Sequence, residues 1–187
     1  GADDMKFLDG DTVGSAVNGT VDPGLKEAPS KLELTDDWAA ADYLVDPQDA
    51  SKIRVFAAEA EPDRTDTVDG ATVKHYTQTS VADIANKGTD VTDMFDIKVE
   101  GTVATATAKP DYLKTLKGMR KGLQLTLLVP FTVNFADGKG AARVREDFGR
   151  KPGDEVTFCT SPDGKELTNK GSQTVNGQTE PTNKPKI

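Results

Sequence analysis

The residues that could most readily take part in a chemical reaction lie in segment 32–38, whose sequence is LELTDDW. Leu32 and Leu34 alternate as they do in a strand with one buried face, so strand parity turns Asp36 inward and Asp37 toward solvent. A carboxyl group in an apolar core is costly as an anion and tends to be protonated unless it is paired. Such a group can donate a proton to an amide carbonyl and accept one from an amine.

This property predicts a specific reaction for Asp36. Beside a buried neutral lysine and an asparagine carboxamide, the acid could catalyse loss of ammonia and formation of a Lys-Asn isopeptide bond. The fold would hold the two reacting groups together. The alternative is that Asp36 caps a turn before Trp38 and has no chemical role.

The chain has one cysteine and one histidine, and this narrows the chemistry further. Because Cys159 is the only cysteine in the sequence, a disulfide within the chain and a zinc–cysteine cluster are both excluded. His75 likewise has no second histidine with which to form a metal site. We expect both residues to be ordinary strand residues. A Cys-His nucleophile pair is the formal alternative, and Cys159 could also pair with a cysteine outside this sequence.

Two acid pairs are candidates for hydrolase chemistry, Asp36 with Asp37 and Glu59 with Glu61. Adjacent carboxylates on a strand face opposite sides, so we expect neither pair to act together as a general acid and a general base. Segment 59–69 is interpreted as a polar loop whose carboxylates lack the spacing of a calcium loop. We therefore predict no metal site, no cofactor and no catalytic turnover.

The elements that position these residues are mainly β-strands. Apolar residues occupy every second position of one long segment, namely Leu123, Leu125, Leu127, Val129, Phe131, Val133 and Phe135. This pattern predicts a strand with one face in the core, and Pro130 predicts a bend or an edge position. Segments 95–99 and 102–108 form a predicted hairpin around Glu100-Gly101.

Shorter strands and turns complete the pattern. Further strands are expected around Leu32, Ile53 and Val156, with turns at Asp69-Gly70, Asp137-Gly138 and 162–164, and with Asn176-Gly177 closing a late hairpin. Brief helical signals occupy segments 81–86 and 110–116. Together these elements predict an all-β fold, an antiparallel sandwich with short connecting helices.

Length and charge limit the organisation and the partners. With 187 residues, of which 35% are hydrophobic, we expect one domain over 1–183 and the start of an inter-domain linker at 184–187. No stretch reaches the roughly 18 apolar residues of a membrane span. The net charge of −8 argues against nucleic acid and anionic membranes as partners. We expect a monomer.

Four segments in order resemble the isopeptide-forming stalk domains of Gram-positive cell-wall adhesins, of the type found in the C-terminal domain of streptococcal antigen I/II. These segments are 35–38 (TDDW), 87–92 (KGTDVT), 103–113 (VATATAKPDYL) and the hairpin from 173–177 (QTVNG) to Thr182-Asn183. The resemblance implies an immunoglobulin-like β-sandwich that is repeated toward the cell wall. It also implies a Lys-Asn cross-link between the first and last strands, beside an Asp.

Carried over by position, the resemblance assigns the cross-link to three residues. Asn183 matches the asparagine of the last strand and Asp36 matches the aspartate. Lys6 is the candidate lysine, although it lies only a few residues before Gly10-Asp11, whereas the lysine of the family lies well before that step. A lysine ahead of Gly1, or a domain without the bond, are the alternatives.

The function implied by the resemblance is structural. We expect a spacer module of an extracellular, wall-anchored adhesin of a firmicute or actinobacterium, whose partners are the neighbouring domains of the same protein. The second hypothesis is a module that binds a host glycan or host protein. It would be favoured by an aromatic platform, which the spacing of Trp38, Tyr43 and Tyr76 does not indicate.

Overall fold

A computed structural model describes residues 5–41, 43–45, 47, 49–149, 151, 156–158, 170–176 and 178–181 of the chain. Thirteen strands occur in these residues, namely β1 (Met5–Phe7), β2 (Thr12–Val21), β3 (Leu32–Asp37), β4 (Leu44–Val45), β5 (Arg54–Val68), β6 (Ala71–Thr77), β7 (Thr89–Asp90), β8 (Phe95–Glu100), β9 (Val103–Ala108), β10 (Gly122–Val133), β11 (Val156–Phe158), β12 (Lys170–Val175) and β13 (Gln178–Pro181). The same residues contain three α-helices, namely α1 (Val81–Lys87), α2 (Pro110–Lys114) and α3 (Gly138–Phe148). Single 3₁₀ turns span Ala50–Lys52 and Thr92–Met94.

Two large antiparallel sheets form the sandwich. The six-stranded sheet has the order β2-β10-β5-β6, with β4 paired to β10 and β7 paired to β5. The five-stranded sheet has the order β13-β12-β3-β9-β8, and β1 pairs with β11 in a small separate sheet. The predicted immunoglobulin-like antiparallel sandwich with short helices is therefore confirmed.

The core lies between the two large sheets and follows the predicted alternation. Leu125, Leu127, Val129, Phe131 and Val133 of β10 are all buried, with exposed fractions of 0–1%. They meet Leu32 and Leu34 of β3 and the small residues of β9 from the opposite sheet. The period of two therefore decides which face of β10 enters this core, although the opposite face is also buried at Gln124 and Thr126, which both have exposed fractions of 0%.

Pro130 does not lie on an edge strand, because β10 pairs with β2 on one side and with β5 and β4 on the other. The pairing with β5 ends at Leu128, and the pairing with β4 begins at Thr132. Pro130 lies in the gap between these two partners. A residue without a backbone N–H is tolerated there, because no ladder bond is needed on that side.

The predicted hairpins are present. β8 and β9 pair around Gly101, which has a φ of +57°. β12 and β13 pair across a tight turn in which Asn176 has a φ of +51°, while Gly177 lies outside the described residues. The predicted linker 184–187 and the turn at 162–164 also lie outside them.

Two parts of the sequence interpretation are wrong. Segment 59–69 is not a loop, because β5 continues to Val68 and pairs with β6 around a turn at Asp69 and Gly70, both with positive φ. Its polar residues are compatible with a strand because residues 61–70 are all exposed. Asp137-Gly138 is not a turn between strands, because Asp137 is the N-cap of α3.

Candidate functional site

The candidate site is built around Asp36, which β3 carries into the core. Leu32, Leu34 and Asp36 share the inward face of this strand, and each has an exposed fraction of 0%. Trp38 continues the same face beyond the end of the strand, with its ring edge against Phe131 at a centroid distance of 5.0 Å. The inward orientation expected for Asp36 is therefore observed.

Asp36 is hydrogen bonded across the sandwich. The hydroxyl group of Ser15 on β2 donates to Oδ2 of Asp36 over 2.9 Å, and both side chains are fully buried. Ala104 of β9 and Gly171 of β12 lie directly opposite Asp36 in the ladders on either side.

The environment changes the acidity of Asp36. Burial raises its pKa most strongly, the hydrogen bond from Ser15 lowers it, and the nearby charge of Asp37 raises it. The result is a pKa of about 7, compared with an ordinary value of 3.8. Both protonation states of Asp36 are therefore populated near neutral pH, so the group can donate a proton as well as accept one.

Asp37, and not Asp36, caps the turn that follows β3 and contains Ala39. Its Oδ1 accepts a hydrogen bond from the backbone N–H of Ala39 at 3.0 Å and a longer one from the hydroxyl of Thr102 at 3.4 Å. Its side chain is only partly buried. Two neighbouring carboxyl groups on one strand thus have different environments, because strand alternation places them on opposite faces.

Ser15 was not identified from the sequence. It lies between Val13 and Val17 on the inward face of β2, so a polar residue interrupts an apolar alternation. That interruption was the available signal, because a buried hydroxyl group needs a hydrogen-bond partner. The sequence could not identify the partner, since Ser15 and Asp36 belong to different sheets.

Of the other two residues of the predicted cross-link, the structure describes the backbone of Lys6 but not Asn183. The backbone of Lys6 lies in β1, opposite Thr157 of β11. Asn183 lies outside the described residues. The last residue of β13, Pro181, is opposite Ser172, and Ser172 is opposite Thr35, the neighbour of Asp36. The chemical roles of Lys6, Asp36 and Asn183 stay predictions.

A second contact joins β2 to the C-terminal hairpin near this site. Gln173 of β12 donates from Nε2 to the backbone oxygen of Thr20 at 2.9 Å. Its side chain fills the space above Gly19, where an added Cβ atom would overlap Oε1 of Gln173. The absence of a side chain at Gly19 therefore allows β12 to approach the edge of β2.

Glu59, Glu61 and His75 form local ion pairs within the described part of the chain. Glu59 and Glu61 lie on one face of β5, contrary to our expectation, because they are two positions apart. Both bind Nζ of Lys121, at 3.1 and 3.4 Å.

His75 of β6 contacts Asp66 through Nε2 at 2.9 Å. Cys159 lies outside the described residues.

Trp38, Tyr43 and Tyr76 do not form an aromatic platform. Trp38 and Tyr43 are buried in the core, with exposed fractions of 2% and 3%, whereas Tyr76 donates a hydrogen bond to Asp22 beside the far end of β2. In the described part of the chain, no three His, Cys, Asp or Glu side chains form a group that could hold a metal ion. No helix found in that part is long and apolar enough to cross a membrane.

The sequence matches no protein-family model and no curated protein. Among solved structures, the chain is similar to the C-terminal domain of the Streptococcus pyogenes antigen I/II-family protein AspA, with a TM-score of 0.55 and 15% identity. The chain shares the β-sandwich fold of that domain. The match covers 96% of this chain and 39% of the AspA chain.

A second solved structure gives the same result. It is the C-terminal domain of the Streptococcus agalactiae antigen I/II polypeptide BspA, with a TM-score of 0.54 and 14% identity. The match covers 96% of this chain and 42% of the BspA chain. The chain therefore spans about two fifths of the length of these antigen I/II C-terminal chains, and the likeness concerns the fold.

Proposed function

We propose that the chain is a structural stalk module of an adhesin on the surface of a Gram-positive bacterium. The proposal rests mainly on Asp36, an acid that is buried between two sheets in a sandwich with the fold of antigen I/II C-terminal domains. The module would act as a spacer between the cell wall and a distal binding domain. Its direct partners would be the neighbouring domains of the same protein.

A cross-link would give such a module resistance to pulling. In the proposed reaction, the neutral amine of Lys6 attacks the side-chain carbonyl carbon of Asn183, a new C–N bond forms, and ammonia leaves. Asp36 would give its proton to the amide and accept the proton that the amine loses. Its pKa of about 7 supports both steps, because both protonation states are accessible.

The arrangement of the terminal strands supports this assignment. β13 ends at the level of Thr35, next to Asp36. The segment that leads from β1 into β2 is held at the same end of the sandwich, because Gly10 donates its N–H to the oxygen of Val133. A bond between the first and last strands would close a long loop and restrict the unfolded chain.

Intact mass tests the cross-link. Loss of one ammonia makes the chain lighter than its sequence mass by about 17 Da. Asp36→Asn, Lys6→Arg and Asn183→Ala should each restore the uncross-linked form, and each should lower the melting temperature. Asp37→Asn is the matched control, because this neighbouring carboxyl group lies on the opposite face and should leave the mass deficit in place.

The result that contradicts the cross-link is a mass equal to the sequence value in the unsubstituted chain. If Lys6→Arg keeps the deficit while Asn183→Ala abolishes it, another lysine supplies the amine. The stalk role has a separate test. The module should bind none of the glycans and host proteins on a screening array, whereas specific binding would favour the alternative role of a ligand-binding module.

A further inference from the structure

The strongest unexplained feature is the part of β5 and β6 that extends beyond the sandwich. β10 ends its pairing with β5 at Gly122 and Ala60, and residues 61–68 pair only with β6. Eight strand residues extend roughly 25 Å. We call residues 61–77 the ribbon; residues 61–74 are all exposed.

The ribbon is held in a defined orientation at its base. Tyr76 donates a hydrogen bond to Asp22 at the end of β2, and Lys74 binds the same carboxylate at 3.4 Å. The ring of Tyr76 covers Gly122, where an added Cβ atom would lie 2.8 Å from the ring. Lys121 binds both Glu59 and Glu61 on the other strand. The base thus directs the ribbon away from the sandwich.

The outer part of the ribbon lacks such support. A two-stranded ribbon without a covered face is marginally stable in water. Val68 and Val73 are 53% and 37% exposed, and they are two of the three exposed large hydrophobic residues in the described chain. They lie on the same face of the ribbon, because Val73 is opposite Asp66 and Val68 lies two residues beyond Asp66. A partner that covers this face would stabilise the ribbon.

The ribbon is acidic, and its charge has a counterpart at the same end of the molecule. Residues 61–77 contain four Asp or Glu and two Lys or Arg, which gives a charge of 2 − 4 = −2 with His neutral. Residues 114–121, which we call the basic turn, contain four Lys or Arg and no acid. All four basic residues are exposed, namely Lys114, Lys117, Arg120 and Lys121.

The backbone of the basic turn is anchored to the domain. Leu116 is buried, with an exposed fraction of 1%. The backbone N–H groups of Gly24 and Gly118 donate to the oxygens of Met119 and Leu25 at 2.8 and 2.9 Å. The turn therefore presents its cations from a fixed position beside β2.

Several charges on these two surfaces have no counterion within the described chain. Lys121 binds Glu59 and Glu61, and Lys114 lies 3.6 Å from Asp111. Within the described residues, Lys117 and Arg120 of the basic turn and Asp63 and Asp69 of the ribbon have no ion pair. Two cations and two anions are thus available to a partner at one end of the molecule.

We propose that two copies of the chain associate end to end, with the ribbon of each copy against the basic turn of the other. A two-fold axis makes both contacts at once, because the same surface then serves both copies. Asp63 and Asp69 of each ribbon then meet Lys117 and Arg120 of the other copy. The described terminal strands leave the sandwich at the opposite end. This association differs from the monomer expected from the sequence and is independent of the stalk role.

Sedimentation velocity of the full chain tests the proposal. The chain should dimerise with rising concentration at about 0.01 M ionic strength, and the dimer should weaken at about 0.15 M and dissociate at about 1 M, because salt screens exposed charges. Lys117→Glu combined with Arg120→Glu should weaken the dimer about tenfold or more, since each contact becomes repulsive. Asp63→Lys combined with Asp69→Asn should weaken it as well; Asn tolerates the positive φ of position 69.

Mixing these two variants is the decisive measurement. Each variant alone associates weakly, but a heterodimer places the substituted ribbon, with its added positive charge, against the substituted turn, with its added negative charges. The other contact of the heterodimer keeps the natural charges on both sides, so association should return. Lys98→Glu combined with Lys139→Glu is the matched control: it reverses two exposed charges away from both surfaces and should leave the dimer unchanged. Unchanged melting curves show that every variant is folded.

Three results would overturn the proposal. The first is a monomer at every concentration and ionic strength. The second is a dimer that the charge reversals do not weaken, or a mixture of the two variants that does not associate. The third is a monomer that binds heparin through the basic turn, with binding lost in the Lys117→Glu and Arg120→Glu variant. The turn would then face a polyanion instead of a second copy.

Discussion

The buried carboxyl group of Asp36 should make the stability of the sandwich depend on pH. Its pKa is about 7 in the folded chain and 3.8 when the group is fully solvated, so the folded state binds the proton more tightly. Its contribution to the free energy of unfolding is therefore complete below pH 3.8, decreases as the pH rises toward 7, and is lost above that value. A difference of about three pKa units corresponds to about 4 kcal/mol.

Urea unfolding at pH 5 and pH 8 would measure this effect. The unsubstituted chain should lose more stability over this range than Asp36→Asn, because the amide of asparagine does not titrate. Exposed carboxyl groups with lowered pKa values, such as Asp49, Asp83 and Asp90, occur in both proteins and cancel in the comparison. Equal pH dependence in the two proteins would contradict the raised pKa of Asp36.

At the level of single elements, β10 contributes most clearly to the core. Leu127 is fully buried between Val17 of β2 and Val55 of β5 in the ladder. Leu127→Ala should lower the free energy of unfolding by about 2–5 kcal/mol, because it removes packed apolar atoms and leaves a cavity. Thr132→Ala, at an exposed position of the same strand, is the control. A loss below about 0.5 kcal/mol for Leu127→Ala would place this residue outside the core.

The ribbon should contribute little to the stability of the isolated sandwich. Deletion of residues 67–68 and 71–72 removes two cross-strand pairs and keeps the pairing parity and the Asp69-Gly70 turn. The melting temperature of the monomer should change little, because only exposed residues are lost. A marked decrease, measured by circular dichroism at low concentration, would mean that the outer ribbon packs on the domain.

These elements also show which local patterns in the sequence were sufficient to predict a strand, a hairpin or a helix. The alternation in β10 and the turn residues of the β8–β9 and β12–β13 hairpins are local patterns, and each predicted its element. The continuation of β5 beyond Glu61 was missed because its residues are polar on both faces, so no alternation marks the strand. The α3 helix was missed because Asp137-Gly138 is typical of a turn, although Gly149 with its φ of +61° marks the helix end.

For the whole molecule, we predict no catalytic turnover on glycans or peptides. Asp36 is inaccessible to a substrate, its neighbour Asp37 faces the other way, and Glu59 and Glu61 are both bound to Lys121. Incubation with broad glycosidase and protease substrates should show no activity above that of the Asp36→Asn protein. Turnover that disappears on substitution of a single carboxylate would contradict the structural role.

The sequence by itself determined the β-sandwich, the parity of the central strands and the burial of Asp36, because each depends on alternation within one strand. Only the tertiary structure decided which groups meet across the sandwich. The hydrogen bond from Ser15 to Asp36 and the contact from Gln173 to Thr20 join strands that are far apart in the chain. The projection of the ribbon beside the basic turn likewise follows from where β10 ends relative to β5. These relations depend on sheet order and register, which local periodicity does not encode.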